Sequence, residues 1–405
     1  MLSRVTKASV SRVLLLALLV FSSLAAIGCA SAPSRGWSGL VVTDNVLYVG
    51  TLQGKMVALD LAGAPQGAAP IPLWDPKTVA TKPAGSGFGC ASGMSTAMNI
   101  YGAPAAANGR VYIGSYSGKI LWITTDGLAI SDPSYSTKGP IIGSILIDAD
   151  TLYVGSSDGK LYALDLNLRP KDGWPFKTGG EIWSTPVASN GVIYVTSADH
   201  NLYAIDAASG NEIWRFRTEA AVFSTPLVVN GMVYVGGCDR MFYAVPAATE
   251  DERLAAANGG APTMREARSV FEGARNWFWT QATYYEGKIY AGCLDGRIYV
   301  FDAMDVSEAI DDFDARSPIK SPPLVVDGRL LVGVQDGTLY LLNPHHLGGS
   351  PATIDMEAPI LAPLCPDPVR SLVYVHAQDG QHTVKAVDVA AQRVVWTYRT
   401  DKISG

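Results

Sequence analysis

Apolar and polar positions alternate in short bursts along this chain, and the same burst returns eight times. Its core is a run of β-forming residues around a tyrosine, then a turn, then a second short alternating run. One clear copy is Val192-Ile193-Tyr194-Val195 followed by Leu202-Tyr203-Ala204-Ile205-Asp206; another is Thr151-Leu152-Tyr153-Val154-Gly155 followed by Lys160-Leu161-Tyr162-Ala163-Leu164-Asp165. The central positions are Tyr48, Tyr112, Tyr153, Tyr194, Tyr234, Tyr290, Leu331 and Tyr374, separated by 64, 41, 41, 40, 56, 41 and 43 residues. A period near 41 residues therefore runs through the chain, with insertions lengthening the first and fifth intervals. Such a period marks an array of one supersecondary unit, because a single unit cannot bury its apolar faces alone.

Within each unit every signal is β. In the fourth copy the pattern predicts strands over 184–188, 192–196, 202–206 and 212–217, with a hairpin turn at Asn190-Gly191, residues suited to positive φ. Asn108-Gly109, Asn230-Gly231, Glu286-Gly287 and Asp327-Gly328 recur at that turn, and Asp158-Gly159, Asp295-Gly296, Asp336-Gly337 and Asp379-Gly380 at the next. These glycines serve turns, and Gly85-Ser86-Gly87 and 292–296 lie in the same β context, so no phosphate loop is read from them. Tandem sandwiches would need longer strands and no single period. The pattern predicts an all-β fold, an eight-bladed β-propeller of four-stranded antiparallel blades over residues 37–400, whose closed ring hides most sheet edges.

The two insertions fall at 77–100 and 247–264. The first joins the outer strand of blade one to the inner strand of blade two, on the ring face that carries the Asp-Gly turns. The second joins the third and fourth strands of blade five, on the opposite face, and Glu250–Ala257 is predicted to be one short helix. Long loops on a rigid ring commonly carry specificity, and they also simply drift.

Ser-Thr-Pro-Val (184–187), Val-Tyr-Val-Gly-Gly (233–237), Asp-Gly-Lys-Leu-Tyr-Ala-Leu-Asp (158–165) and Ala-Ala-Ser-Gly-Asn-Glu-Ile-Trp (207–214) together resemble the pyrroloquinoline-quinone-type (PQQ-like) propeller repeat. That repeat serves quinone dehydrogenases, BamB-like lipoproteins of barrel assembly, and sensor ectodomains. The resemblance implies outer-strand tryptophans that dock blades, matched here by Trp74, Trp214, Trp396 and Trp174. The usual Asp closing the third strand is replaced by Thr124, Pro246 and Asn343, which predicts looser ties in those blades. For a dehydrogenase the resemblance implies a vicinal cysteine pair and a calcium site. No adjacent cysteines occur, and the calcium ligands do not map onto this chain.

The N-terminus reads as a targeting segment. Arg4, Lys7 and Arg12 precede an apolar stretch ending at Ala26-Ile27-Gly28-Cys29. The stretch is shorter than the roughly 20 residues of a membrane span. It looks like a bacterial lipoprotein signal peptide (1–28), with Cys29 lipidated and a tether over 29–36; ordinary secretion and an uncleaved anchor stay open as alternatives. The seven residues Ala30 to Gly36 reach about 25 Å when extended, which would keep the ring near the bilayer. Removing 1–28 takes away three basic residues, moving the formal charge from −6 to −9. So acidic a protein is a poor nucleic-acid binder.

Apart from Cys29, the cysteines are Cys90, Cys238, Cys293 and Cys365. Cys238 and Cys293 follow the second strands of neighbouring blades, and Cys365 lies in the last blade, which the ring brings beside the first, where Cys90 sits in the insertion. Disulfides 238–293 and 90–365 are candidates in an oxidising compartment, against buried free thiols. No Cys-x-x-Cys occurs, which argues against zinc and thioredoxin-type sites. The acidic run Asp302, Asp305, Glu308, Asp311, Asp312 and Asp314 lacks the order of a calcium loop and reads as a solvated outer strand. His345-His346 reads as an exposed loop. The expectation is a non-catalytic, monomeric propeller lipoprotein with no cofactor and no metal. It would be anchored through Cys29 at the bacterial cell envelope, facing the extracytoplasmic side, and would bind a protein or peptide. A cofactor- or metabolite-binding propeller, quinoprotein-like or sensory, is the alternative.

Overall fold

The computed structural model describes residues 38–51, 54–62, 69–78, 99–132, 134–378 and 383–400. The signal and tether segments, Cys29, Cys90 and most of the 77–100 insertion lie outside them. Eight sheets follow one another along the described residues, each with four antiparallel strands paired in chain order; in blade five the fourth, Ser269–Phe271, comes after a segment that pairs with blade four. In blade four these are Val187–Ser189, Val192–Thr196, Asn201–Asp206 and Glu212–Arg217. The innermost strand starts later than the pattern predicts. Ser184 turns its hydroxyl onto both the amide and the carbonyl of Thr196, and Pro186 has no N–H to give a ladder.

Innermost strands of successive blades are neighbours around a central channel, and blade one meets blade eight. Among the described residues no strand is exchanged at that closure: blade one is Leu40–Thr43, Val46–Gly50, Lys55–Asp60 and Lys77–Thr78, and blade eight is Cys365–Asp367, Leu372–Ala377, Thr383–Asp388 and Arg393–Arg399. Side chains close the ring instead. Leu47, Val49, Val57 and Leu59 share one core with Tyr374, Val384, Ala386 and Trp396. Arg370 bonds Asp367 of its own blade at 2.9 Å and Asn45 of blade one at 2.8 Å. His376 Nδ1 lies 2.7 Å from the Ser38 carbonyl; a carbonyl only accepts, so that nitrogen carries a proton.

The repeated tyrosine is a staple to the next blade. The hydroxyls of Tyr112, Tyr153 and Tyr290 donate to the carbonyls of Leu166, Ala207 and Pro344 at 2.9, 3.2 and 2.6 Å, while Tyr194 accepts from the Ala248 amide. Blade seven has Leu331 and lacks this bond. Tyr374 bonds Asp367 within its own blade. The turn aspartates staple in the other direction: Asp199 accepts from Tyr203 Oη at 2.6 Å, from its own turn at Asn201 N, and from Gly179 N of the preceding blade at 2.6 Å. Asp158, Asp239 and Asp295 repeat the arrangement. At two of the substituted closing positions the local turn bond is kept: Thr124 Oγ1 accepts from Ala129 N, and Asn343 Oδ1 from His345 N, as the aspartates do elsewhere.

A second interlock is steric. At six junctions a glycine of the second strand faces a large residue of the next blade; a Cβ on Gly155 would stand 2.3 Å from Ile182 Cγ2, and one on Gly236 2.1 Å from Phe278 Cβ. Two junctions differ. Thr196 stands at the glycine position of blade four and donates to the Ser224 carbonyl at 2.8 Å, beside the smaller Val222. His376 stands there in blade eight and meets the equivalent carbonyl, that of Ser38.

Of the docking tryptophans, Trp214 and Trp396 lie in outer strands. Trp74 and Trp174 lie outside strands, yet Trp74 Nε1 still donates to Thr125 O of blade two at 3.2 Å, and Trp174 packs edge-on against Tyr153. The helix α1, Glu250–Ala257, forms as predicted, with a Thr249–Glu252 capping box. The same insertion adds something the pattern did not suggest. Thr263–Arg265 pairs in parallel with the outer strand of blade four, making a fifth strand. Arg253 bonds Asp206 at 2.9 Å, Asn211 donates to Ala256 O, and Arg265 lies over Trp214. The insertion of blade five is therefore a clamp on the rim of blade four.

Candidate functional site at the channel mouth

The segment that enters each inner strand carries one side chain toward the channel at the same repeat position. In blades two to eight these are Tyr101, Ile142, Trp183, Phe223, Trp279, Lys320 and Leu361, all lining one cavity of about 340 Å³. The cavity opens on the face of the Asp-Gly turns, since Trp183 Nε1 donates to Ser157 Oγ in the turn of blade three at 3.0 Å.

Three blades contribute an aromatic cluster. Trp183 stacks on Phe223 with ring centres 4.5 Å apart, Trp279 meets Phe223 at 5.5 Å, and the two tryptophans meet edge-on at 6.3 Å. Each is only partly buried. Farther round, Tyr101 packs against the exposed Tyr116 at 5.3 Å.

Beneath this ring the wall is zipped by hydrogen bonds between blades. Ala103 N donates to Ser144 Oγ, Ser144 N to Thr185 Oγ1 and Thr185 N to Thr225 Oγ1, at 2.9, 3.0 and 3.1 Å. Gln281 Nε2 donates to Pro226 O at 2.9 Å. Pro322 and Pro363 occupy the same position in the last two blades and have no N–H. The mouth thus presents apolar surface and one ammonium group, on a rigid frame.

The sequence-predicted candidates lie elsewhere. Cys238, Cys293 and Cys365 are free thiols, which corrects the 238–293 pairing. The Cys293 thiol donates instead to the carbonyls of Asn276 and Trp277 at 3.2 and 3.4 Å. Burial, aided by Asp239 at the first, pushes the Cys238 and Cys293 thiols up to about 11 and about 12. Burial likewise raises Cys365 to about 12. Thiols held protonated in this way are poor nucleophiles. For the 90–365 pairing, the partner Cys90 is outside the described residues.

The acidic run supplies the outer strand Asp311–Asp314 of blade six, as expected, with Arg297 bonded to Asp312. His345 and His346 are exposed loop residues. Among the described residues no three His, Cys, Asp or Glu side chains are grouped to hold a metal ion. Among the described residues the lining of the mouth carries no carboxylate.

Trp183, Phe223 and Trp279 were the residues that sequence reasoning missed. Their signal was available: a large side chain at one fixed position before each Ser/Thr-Pro or equivalent, outside the alternation that marks strands.

Ring and mouth together define an eight-bladed propeller with an aromatic, singly charged channel entrance. The chain belongs to the PQQ_2 family, described as Outer membrane protein assembly factor BamB, which matches it over residues 170–398. Comparison with the curated proteins finds no match. Among solved structures it is similar to BamB from Moraxella catarrhalis, at 15% identity and a TM-score of 0.64, covering 85% of this chain and 94% of that one. It is equally similar to the computationally designed Ika8 protein, at 13% identity and a TM-score of 0.65, covering 88% of this chain and 97% of that one. At these identities the likeness is one of fold. Among the described residues no helix is long and apolar enough to cross a membrane.

Proposed function

We propose that this chain is a lipid-anchored, non-catalytic scaffold of the cell envelope and that its channel mouth docks a protein or peptide. The observation that carries this is the partly exposed Trp183–Phe223–Trp279 cluster, held by three blades on a hydrogen-bonded wall. Aromatic side chains fixed on a rigid frame supply contact area at low entropic cost, and they dominate interface energetics. Membership of the BamB family supports a role in assembling other envelope proteins.

A lipid on Cys29 would add an orientation. The chain enters the ring at Ser38, equivalent to Gly102 and Gly143 of the mouth. A tether of this length would hold the mouth on the membrane side, toward integral membrane partners.

Crosslinking and recovery from envelope fractions, comparing the unaltered chain with Trp183→Ala/Phe223→Ala, tests the docking surface. Reproducible partners lost from the variant are expected; no partner, or one indifferent to the variant, would refute the reading. Globomycin should block processing at Cys29, and insensitivity would remove the anchor.

A further inference from the structure

One residue of the mouth narrows the chemistry of its occupant. Six of the seven ring positions in blades two to eight are apolar or aromatic, and the seventh is Lys320. It is only partly exposed, lines the cavity with the aromatic cluster, and makes no hydrogen bond or ion pair among the described residues. The residues that line the cavity with it include no carboxylate; the hydroxyls of Ser144, Thr185 and Thr225 each accept an amide, Gln281 donates through Nε2 to Pro226 O, and Pro322 is apolar. A partly desolvated ammonium beside apolar surface is best satisfied by a carboxylate, through a charge-assisted bond.

Size narrows the occupant too. About 340 Å³ is near the lower end for ligand pockets, suited to one large side chain and the group beside it. The formal charge of the chain is −6, so its overall field does not gather anions. Selection for a carboxylate would act locally, at Lys320, and not through long-range steering.

We infer that the mouth takes a peptide segment carrying a carboxylate next to a bulky apolar side chain. The apolar group lies on Trp183, Phe223 and Trp279, and the carboxylate pairs with Lys320. The carboxylate comes from an Asp or Glu side chain or from a chain terminus. This rests on the mouth being a docking surface for protein.

The test uses the full chain in detergent and fluorescence polarisation with three labelled hexapeptides that share one phenylalanine. One has Asp beside it and an amidated end; one has Asn beside it and ends on the Phe free acid; one has Asn and an amidated end. At least one carboxylate peptide is expected to bind about five- to tenfold more tightly than the neutral one, and which one does so identifies the source. Lys320→Met should reduce that preference below about twofold, and Lys320→Arg should keep it. A melting temperature of Lys320→Met equal to that of the unaltered chain controls for folding. A preference that survives Lys320→Met, or a neutral peptide that binds equally well, overturns the carboxylate and leaves peptide docking standing. No binding by any of the three overturns both.

Discussion

Tyr290 and Tyr48 occupy the same repeat position and should respond differently to loss of one oxygen. Tyr290 donates at 2.6 Å to the carbonyl of Pro344 in the next blade, where Pro344 is itself buried. Tyr290→Phe removes a net contribution of about 1 kcal/mol and leaves that carbonyl without its donor, for a total of about 2–3 kcal/mol. Tyr48 donates at 3.4 Å to Thr125 O, which also accepts from Trp74 Nε1 at 3.2 Å. Tyr48→Phe leaves the acceptor satisfied, so about 0.5 kcal/mol is expected. Urea unfolding followed by tryptophan fluorescence measures both, and Tyr48→Phe/Trp74→Phe should restore the larger cost. Equal losses from the two single variants would refute the idea that the unpaired acceptor, and not the tyrosine itself, sets the penalty.

Four further outcomes follow from the same geometry. Gly155→Ala drives a Cβ to 2.3 Å from Ile182 and should cost about 1–3 kcal/mol; Ile182→Val should recover part of it in the double variant, by the same unfolding assay. Asp199→Ala strips partners from Tyr203, Gly179 and Asn201 and should cost about 2–3 kcal/mol, with Asp199→Asn costing less. Burial pushes Tyr153 and Tyr290 up to about 12 from 10. The folded state then keeps these protons longer than the unfolded one, so their contribution is complete below pH 10 and is lost as pH rises through about 12; a pH series of melting temperatures should be flat below 10 and fall above it. Ellman's reagent should label Cys293 and Cys365 only after denaturation, and labelling of neither Cys238 nor Cys293 in the denatured chain would reinstate their disulfide.

Blade number, strand order and the second and third strands of each unit were legible because alternation and turn residues are local signals. The second and fourth strands of blade four match residue for residue, and α1 was visible in its capping residues. The inner strand was misjudged because hydroxyl bonding of Ser184 and the missing amide of Pro186 are not alternation signals. The parallel strand Thr263–Arg265 was invisible because its partner lies in another blade. The tyrosine marked the centre of each repeat, but its acceptor is a main-chain carbonyl about 54 residues away, which carries no side-chain signature. The mouth was missed for a related reason: its residues come from seven units, and only ring closure brings them together. Lys320 looks like an ordinary surface lysine until its six apolar counterparts surround the same cavity.

The two odd junctions, Thr196 with Ser224 and His376 with Ser38, sit opposite one another, between blades four and five and between eight and one. They divide the ring into two half-rings that are not interchangeable. If the chain were cut between blades four and five, two copies of the later half could not close on each other, because each His376 imidazole would arrive where Val222 stands. Two copies of the earlier half would set Thr196, shorter than the His376 it replaces, against the Ser38 carbonyl. Only unlike halves match at both seams. The steric code of the second strand would therefore make this propeller a self-sorting split protein, one whose fragments choose each other over themselves.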